Sequence, residues 1–539
     1  MITGAEAIVR CLEKEGVSVV FGYPGAAVCP LYDKLSGSGV RHVLVRQEQN
    51  AGHAASGYAR ISGKTGVCIA TSGPGAANLI TAIATSYMDS VPIVAITGQV
   101  SLELLGRDVF QEADITGACA PFVKHSYLLT RAADIPRVFR EAFHIASTGR
   151  PGPVLIDVPV NIQEEELDFK YPETVSIRGY NPSVRGHAFQ IKKAVSAMAA
   201  AKKPLICVGG GVISSGACES LREFAETAGI PVVSTMMGLS VLPTEHPLNF
   251  GMVGVYGSAL ANRAVFECDV LTVIGARLGD RAMSYGGAQH MPENTFIIHI
   301  DVDPAEIGKN VGTNIPIVGD AKTIIGQLSE NPPRPEAEQW IARLNALREG
   351  LAQNEPTDGL PKMRRFIRML SEKTQDDAII AADVGRNQIN TAAGYKMKRG
   401  RLITSCGMGT MGYALPAACG AKLAAPERQV IAVMGDGGFQ MSMNELGTMV
   451  QNGLPVKLIV DNDHALGLVR EIQKREYGGR LVDVGLGSAP DIRLIAGAYG
   501  IKYLRVGSLE EADGAIDALL ADPDESFLLE LMTDGENEN

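Results

Sequence analysis

Short, fully apolar runs alternate along the chain with longer, alanine-rich stretches of helical spacing. GVCIATSGPG is followed by AANLITAIATSYMDS and then VPIVAITG; PLICVGGG leads through a helical stretch to IPVVST; QVIAVMGDG precedes a helix and then PVKLIVDND. Strands apolar on both faces must be covered on both faces, so these runs predict parallel sheets with helices on either side. Each run ends in a Gly, Ser or Asp turn, and ligands of such sheets bind beyond the carboxyl ends of the strands.

Two stretches break the alternation. Residues 161–187 (NIQEEELDFKYPETVSIRGYNPSVRGH) are polar and carry two prolines, and 329–362 set NPPRPE and NEPTDGLPK around a predicted helix, EQWIARLNALREGLA. Both read as surface linkers. They divide the chain into 1–165, 188–328 and 363–539, each of ordinary domain size. The expected fold class is therefore α/β, with three doubly wound domains. TSGPGAAN…VPIVAITG in the first block is echoed by TSCGMGTMG…QVIAVMGDG in the third. The echo is either a chance match between α/β blocks or the trace of a duplicated nucleotide-type domain.

Composition narrows the class. Of 539 residues 46% are apolar and 20% charged, enough to build several cores and to exclude a disordered chain. A net charge of −11 argues against a nucleic-acid scaffold, which needs a basic footprint. Sixty glycines are about 11% of the chain against an average near 7%, the mark of a glycine-looped enzyme. Nine cysteines (11, 29, 68, 119, 207, 218, 268, 406 and 419) form no CxxC pair. They fit neither a zinc nor a disulfide framework and imply a reducing cytosol, each thiol serving as a small buried apolar group. The opening MITGAEAIVRCLEKEG begins like an amphipathic helix and carries charges where a signal peptide needs an apolar core. No uncharged apolar run approaches the ~18 residues of a membrane span.

The strongest chemical signal is Gly435-Asp436-Gly437 at the end of QVIAVM. Asn462 and Asp463 follow 26 and 27 residues after the aspartate, at the end of PVKLIV. Neighbouring parallel strands bring their carboxyl ends side by side, so Asp436 and Asp463 can face one point. Oxygen ligands among glycines suit Mg²⁺, which prefers hard oxygens and commonly shares its shell with phosphate. Helix N-termini and glycine-loop N–H groups would hold that phosphate. Glu48 lies between an apolar strand and a small-residue helix, in VRQEQNAGHAASGYAR.

This pattern resembles the thiamin-diphosphate fingerprint, a GDG followed at this distance by Asn-Asn; here Asp463 stands at the second Asn. Further stretches resemble the acetohydroxyacid (acetolactate) synthase family of large catalytic subunits over about residues 2–532. They are FGYPGAAVCPLYD, GYARISGKTGVCIATSGPGAANL, MDSVPIVAITGQV, DVFQEADI, GRPGPVLIDVP, HIDVDPAEIGKN and GMGTMGYALPAA. The resemblance implies pyruvate decarboxylation on thiamin diphosphate and condensation of the two-carbon fragment with a second 2-oxo acid, in branched-chain amino-acid biosynthesis. It implies that Glu48 hydrogen-bonds N1′ of the aminopyrimidine, favouring the 4′-imino tautomer that takes the C2 proton. Gly409 would touch the aminopyrimidine through its backbone, and Met411 would bend the cofactor. Gly385, Asn387, Gln388, Gly435, Gly437 and Asn462 would surround the diphosphate. Asp436, Asp463 and the Ala465 carbonyl would hold Mg²⁺. Ala26 and Ala27 would line the substrate carbonyl, and Phe110, Gln111 and Lys124 would shape and charge the pocket mouth. A structural FAD is implied in the central block, on Gly209, Gly210, Gly211, Arg277, Asp280, Arg281, Asp301 and Asp303. The family forms homodimers or tetramers with the site between protomers, and a small regulatory subunit can accompany it.

The sequence departs from the family at several points. Asp463 adds a negative charge beside the diphosphate. Arg386-Asn387-Gln388-Ile389-Asn390 replaces QHQMW, Gly279 replaces an Asp, and Ile472 replaces a Trp that favours 2-oxobutyrate. The end, MTDGENEN, lacks a Pro-rich tail. These departures keep two alternatives open: another thiamin-diphosphate decarboxylase or oxidase, and an inactive cofactor-binding paralogue.

Overall fold

Three six-stranded parallel sheets carry the chain, each built from the apolar runs described above. The computed structural model describes residues 1–285, 288–289, 294–354, 360–488 and 490–533. Residues 355–359 of the second expected linker and 534–539 of the C-terminus lie outside the described residues.

In the first sheet β1 (Val19–Tyr23), β2 (Arg41–Leu44), β3 (Gly66–Ala70), β4 (Ile93–Gln99), β5 (His125–Leu128) and β6 (Val154–Pro159) run in the order β2-β1-β3-β4-β6-β5. The central sheet contains β7 (Pro204–Val208), β8 (Val232–Ser234), β9 (Asn249–Met252), β10 (Val270–Ile274), β11 (Phe296–Asp301) and β12 (Ile315–Val318), ordered β9-β8-β7-β10-β11-β12. In the third, β13 (Ile379–Ala382), β14 (Arg401–Thr404), β15 (Val430–Gly435), β16 (Lys457–Asn462), β17 (Lys502–Val506) and β18 (Phe527–Met532) run β14-β13-β15-β16-β18-β17. The first and third sheets thus have the same topology, which is what duplication of one unit would produce. The central order is that of the dinucleotide-binding fold, whose crevice opens where the order reverses.

The central strands are largely apolar because helices cover both faces, whereas the edge strands β2 (RHVL) and β5 (HSYL) and the outer strand β17 (KYLRV) carry polar, exposed residues. Alternate residues of β3 enter opposite cores: Val67 and Ile69 face the helix Ile135–Ser147 side with Phe139, and Cys68 and Ala70 face the side holding Ala54 and Ala55. The stretch 161–187 is not a free linker. Its Glu166–Leu167 segment pairs antiparallel with Ile2–Thr3, and Phe169, Tyr171, Ile177 and Tyr180 pack on the first core. Its polar composition hid these apolar anchors. The helix Glu338–Asn354 belongs to the central core: Trp340 and Leu344 are buried there, and the indole Nε1 donates to the Pro204 carbonyl at 3.1 Å.

Candidate active site

At the carboxyl edge of the first sheet, the turn of residues 71–75 (TSGPG) is the hub of the predicted substrate end. Ala27 N donates to Thr71 Oγ1 at 3.3 Å, and the Ala27 carbonyl accepts from Gln163 Nε2 at 2.7 Å, fixing the Ala26–Val28 turn after β1. Glu48 opens the helix Glu48–Ser62 just after β2; its Oε2 accepts from Asn78 Nδ2 at 2.9 Å. A Cβ on Gly75 would lie 3.2 Å from Glu48 Oε1, and one on Gly73 would lie 2.9 Å from the Gln111 Cα. Both glycines therefore admit a predicted functional residue. Gln111 itself adopts φ +58°, and neighbouring Phe110 is 87% exposed.

Beneath this edge Asp157, within β6, accepts from Thr97 Oγ1 at 2.7 Å and from Gln99 Nε2 at 3.0 Å. Gln99 Nε2 also donates to the Ala113 carbonyl at 2.7 Å and so ties β4 to the segment bearing Phe110 and Gln111. Burial pushes the Asp157 carboxyl up to about 7.

Lys124 does not join Glu48 within this chain. It precedes β5, at the opposite edge of the parallel sheet, where its Nζ donates to the carbonyls of Ile145 and Thr148 and to Tyr180 Oη. Burial, and then the Arg150 charge, lower its pKa to about 8.

The third sheet assembles the predicted diphosphate end. Register pairs Gly435 with Asp461, so the residues just beyond, Asp436 and Asn462, leave adjacent strand ends together. Asp436 begins the helix Asp436–Ser442 and is 4% exposed; its Oδ1 accepts the Gly437 amide at 3.0 Å. Burial first, and the Asp463 charge second, push its pKa up to about 7. A buried carboxylate facing another acid is the environment a dication relieves. Asn462 Nδ2 donates to Glu530 Oε1 at 2.6 Å, and its Oδ1 accepts the His464 amide at 3.0 Å, fixing the turn that presents Asp463 and Ala465. A cleft of about 290 Å³ lined by His464, Ala465, Arg470 and Asp483 opens alongside. Among the described residues no three His, Cys, Asp or Glu groups form a metal cage. Two carboxylates and a backbone carbonyl sharing Mg²⁺ with phosphate would not form such a cage.

Around this end, Gly385 (φ +137°) starts the helix Arg386–Gly394. Asn387 Nδ2 caps the Asp383 carbonyl at 2.8 Å, and Gln388 Nε2 reaches Thr404 Oγ1 at 2.6 Å. Gly409 has φ +69° and open space where a Cβ would stand, so its backbone is accessible to a ligand. The Met411 methyl lies 3.4 Å from a Cβ placed on Gly437. Asp383, at the end of β13, escaped the sequence reading. Its oxygens accept the amides of Gly412 at 2.9 Å and Ala414 at 3.0 Å, clamping the loop that carries Met411, and burial pushes it up to about 6. Its only signal was an acid at the end of an apolar strand, in IIAADVG.

In the central domain, Gly209, Gly210 and Gly211 follow β7, Arg277 follows β10, and Asp301 ends β11. These strands are neighbours, and β7 and β10 flank the reversal of strand order. Gly209 and Gly211 pack against Gly275, so close contact between the two loops already accounts for them. Asp303 pairs with Arg150 of the first domain at 3.3 Å. Asp280 and Arg281 are exposed and lie 3.6 Å apart.

The first and third domains meet along two helices. Asp89 receives Arg60 at 2.8 Å and the Gly407 amide at 2.7 Å, and Glu445 receives Arg46 N and Asn50 Nδ2 at 2.8 and 2.9 Å. Gly57 packs on Ala417, and Gly420 on Ala54, so the helices Glu48–Ser62 and Ala414–Ala424 run antiparallel. Glu48 therefore stands level with the end of the pair remote from Ala414, about 18 Å along the axis at ~1.5 Å per residue.

Comparison with known proteins gives the same three units. Residues 2–118 match the N-terminal TPP binding domain of thiamine pyrophosphate enzymes, 191–328 the central domain, and 383–531 the C-terminal TPP binding domain. The fold and the three matched domains thus define a thiamine pyrophosphate enzyme. The chain is 46% identical to the acetolactate synthase large subunit of Corynebacterium glutamicum, over 96% of this chain and 84% of that one. It is 41% identical to that of Lactococcus lactis, over 98% and 92%. A Methanococcus aeolicus protein named "Probable acetolactate synthase large subunit" is 44% identical over 99% and 92%. The chain belongs to the acetolactate synthase large-subunit family.

Proposed function

We propose that this thiamin-diphosphate-dependent carboligase decarboxylates pyruvate and joins the two-carbon fragment to a second 2-oxo acid, making acetolactate when the acceptor is also pyruvate. The observation that carries the reading is the buried Asp436 at a helix N-terminus, next to Asp463 and Asn462 on the adjoining strand end. Bound thiamin diphosphate supplies the electron sink that lets a carboxylate leave as CO₂. Glu48, oriented by Asn78, holds or releases a proton at the aminopyrimidine N1′. Asp436, Asp463 and the Ala465 carbonyl are the candidate ligands of Mg²⁺. The helix starts at residues 386 and 436 would face the diphosphate. Ala26, Ala27 and Gln111 would border the substrate, and the fixed Gln111 segment would orient the acceptor carbonyl.

Glu48 and the diphosphate end lie at opposite ends of the antiparallel helix pair in one chain. That supports an active site completed by a second copy, with Glu48 of one protomer meeting Asp436 of another. Lys124 would then act at a protomer boundary or not at all. The reversal of strand order at β7 and β10 supports FAD in the central domain, across Gly210, Arg277 and Asp301, with Asp280 and Arg281 at its outer rim. A small regulatory partner is in keeping with relatives named as large subunits. All nine cysteines are free thiols, which supports a cytoplasmic location.

Product analysis tests the reading. With thiamin diphosphate and Mg²⁺, pyruvate alone should give acetolactate, and pyruvate plus 2-oxobutyrate should also give acetohydroxybutyrate. Free acetaldehyde or acetyl phosphate without acetolactate would overturn it.

A further inference from the structure

The extra carboxylate at Asp463 is not left unbalanced. Its Oδ2 accepts from Arg386 at 3.2 Å and from Arg470 at 2.7 Å, while Oδ1 accepts a long bond, 3.2 Å, from the Ala465 amide. Arg386 is in turn steadied by Glu471, 2.9 Å from its Nε. The Arg386, Asp463 and Arg470 side chains are only 9–14% exposed, so water screens these charges weakly. The passage is shaped for the pair: a Cβ on Gly467 would lie 2.7 Å from both Arg386 Cδ and Asp463 Oδ2.

Arg386 and Asp463 are 77 residues apart in sequence and meet only through the fold. An Arg-Asp pair carries the same net charge as a neutral Gln-Asn pair. A lone Asp at 463 would set a further negative charge against Asp436 and an incoming diphosphate. A lone Arg at 386 would leave a cation in place of a neutral group.

We propose that Arg386 is a positioning residue for the metal–diphosphate end. It holds Oδ2 of Asp463 and cancels its charge, so that Oδ1 is presented to Mg²⁺ without repelling the diphosphate. The inference rests on the thiamin-diphosphate reading of the site. Arg386 acts through Asp463, and its value depends on which residue stands at 463.

Binding of thiamin diphosphate, titrated at saturating Mg²⁺ by calorimetry on the full chain, tests this without recourse to turnover. Arg386→Gln should weaken binding at least tenfold. Arg386→Gln combined with Asp463→Asn should return it to within about threefold of the unaltered protein. Melting curves of the cofactor-free variants establish that each is folded. If Arg386→Gln proves too unstable to titrate, the double variant still decides, because weak binding by a folded double variant overturns the proposal. Unchanged binding by Arg386→Gln also overturns it. Failure of the unaltered protein to bind thiamin diphosphate at all would instead remove the reading of the site.

Discussion

Gly57 rests on the carbonyl oxygen of Ala417 so closely that no side chain fits between them. Gly420 meets Ala54 in the same way one turn along, so the first and third domains are joined backbone to backbone. In an exposed helix, Gly to Ala gains up to about 1 kcal/mol. Here overpacking costs about 1–3 kcal/mol, and it should win. Gly57→Ala should lower the thermal unfolding midpoint. A midpoint equal to or above that of the unaltered protein would mean that the two helices separate without cost.

Glu48→Gln separates hydrogen bonding from proton transfer. Gln can keep the Asn78 contact but cannot take up the N1′ proton. Folding and cofactor affinity should be preserved, and turnover should fall about 10²–10⁴-fold, the usual contribution of a positioned acid–base group. Exchange of the cofactor C2 proton, followed by NMR, should slow in parallel. Unchanged exchange would assign Glu48 another role.

Asp157 should make stability pH-dependent with a definite sign. Its folded pKa of about 7 exceeds the ordinary 3.8 because the group is buried. The folded chain therefore retains a proton that the unfolded chain releases. The contribution is complete below about pH 4 and is lost as pH rises to about 7, by at most about 1.4 kcal/mol per unit. Asp157→Asn resembles the protonated acid and should flatten the stability profile across that window. If it leaves the slope unchanged, Asp157 is already ionised when folded.

The sheets were legible because parallel strands covered on both faces are written as unbroken apolar runs. Asp436 and Asp463 could be paired from sequence because neighbouring parallel strands must end side by side. Other features depend on contacts that sequence spacing does not carry. Asp383 is explained by the amides of Gly412 and Ala414. Asp463 looked like an added charge until Arg386 and Arg470 came to lie against it. Lys124 looked like a companion of Gln111, but strand direction puts it at the other edge of the sheet. Phe169 and Tyr171 were overlooked because two aromatic anchors do not make a polar segment read as packed.

Ile472 sits half-buried on the helix Gly467–Glu476 beside Arg470 and Glu471, where the resembled family has a Trp. A Trp face would cover the ethyl group of 2-oxobutyrate, whereas Ile offers less contact area. One methylene in an apolar pocket is worth about 1–3 kcal/mol, or roughly 10–200-fold in discrimination. Without the aromatic wall much of that preference should be absent, and equal concentrations of the two acceptors should favour acetolactate or give comparable products. Ile472→Trp should move the ratio toward acetohydroxybutyrate. The same helix carries Arg470 and Glu471, so thiamin diphosphate affinity should be measured alongside, and it should stay unchanged if the ring enters without disturbing them. Competition between pyruvate and 2-oxobutyrate, with both products quantified, decides the matter. A strong preference of the unaltered protein for 2-oxobutyrate would mean that a side chain other than residue 472 forms the wall.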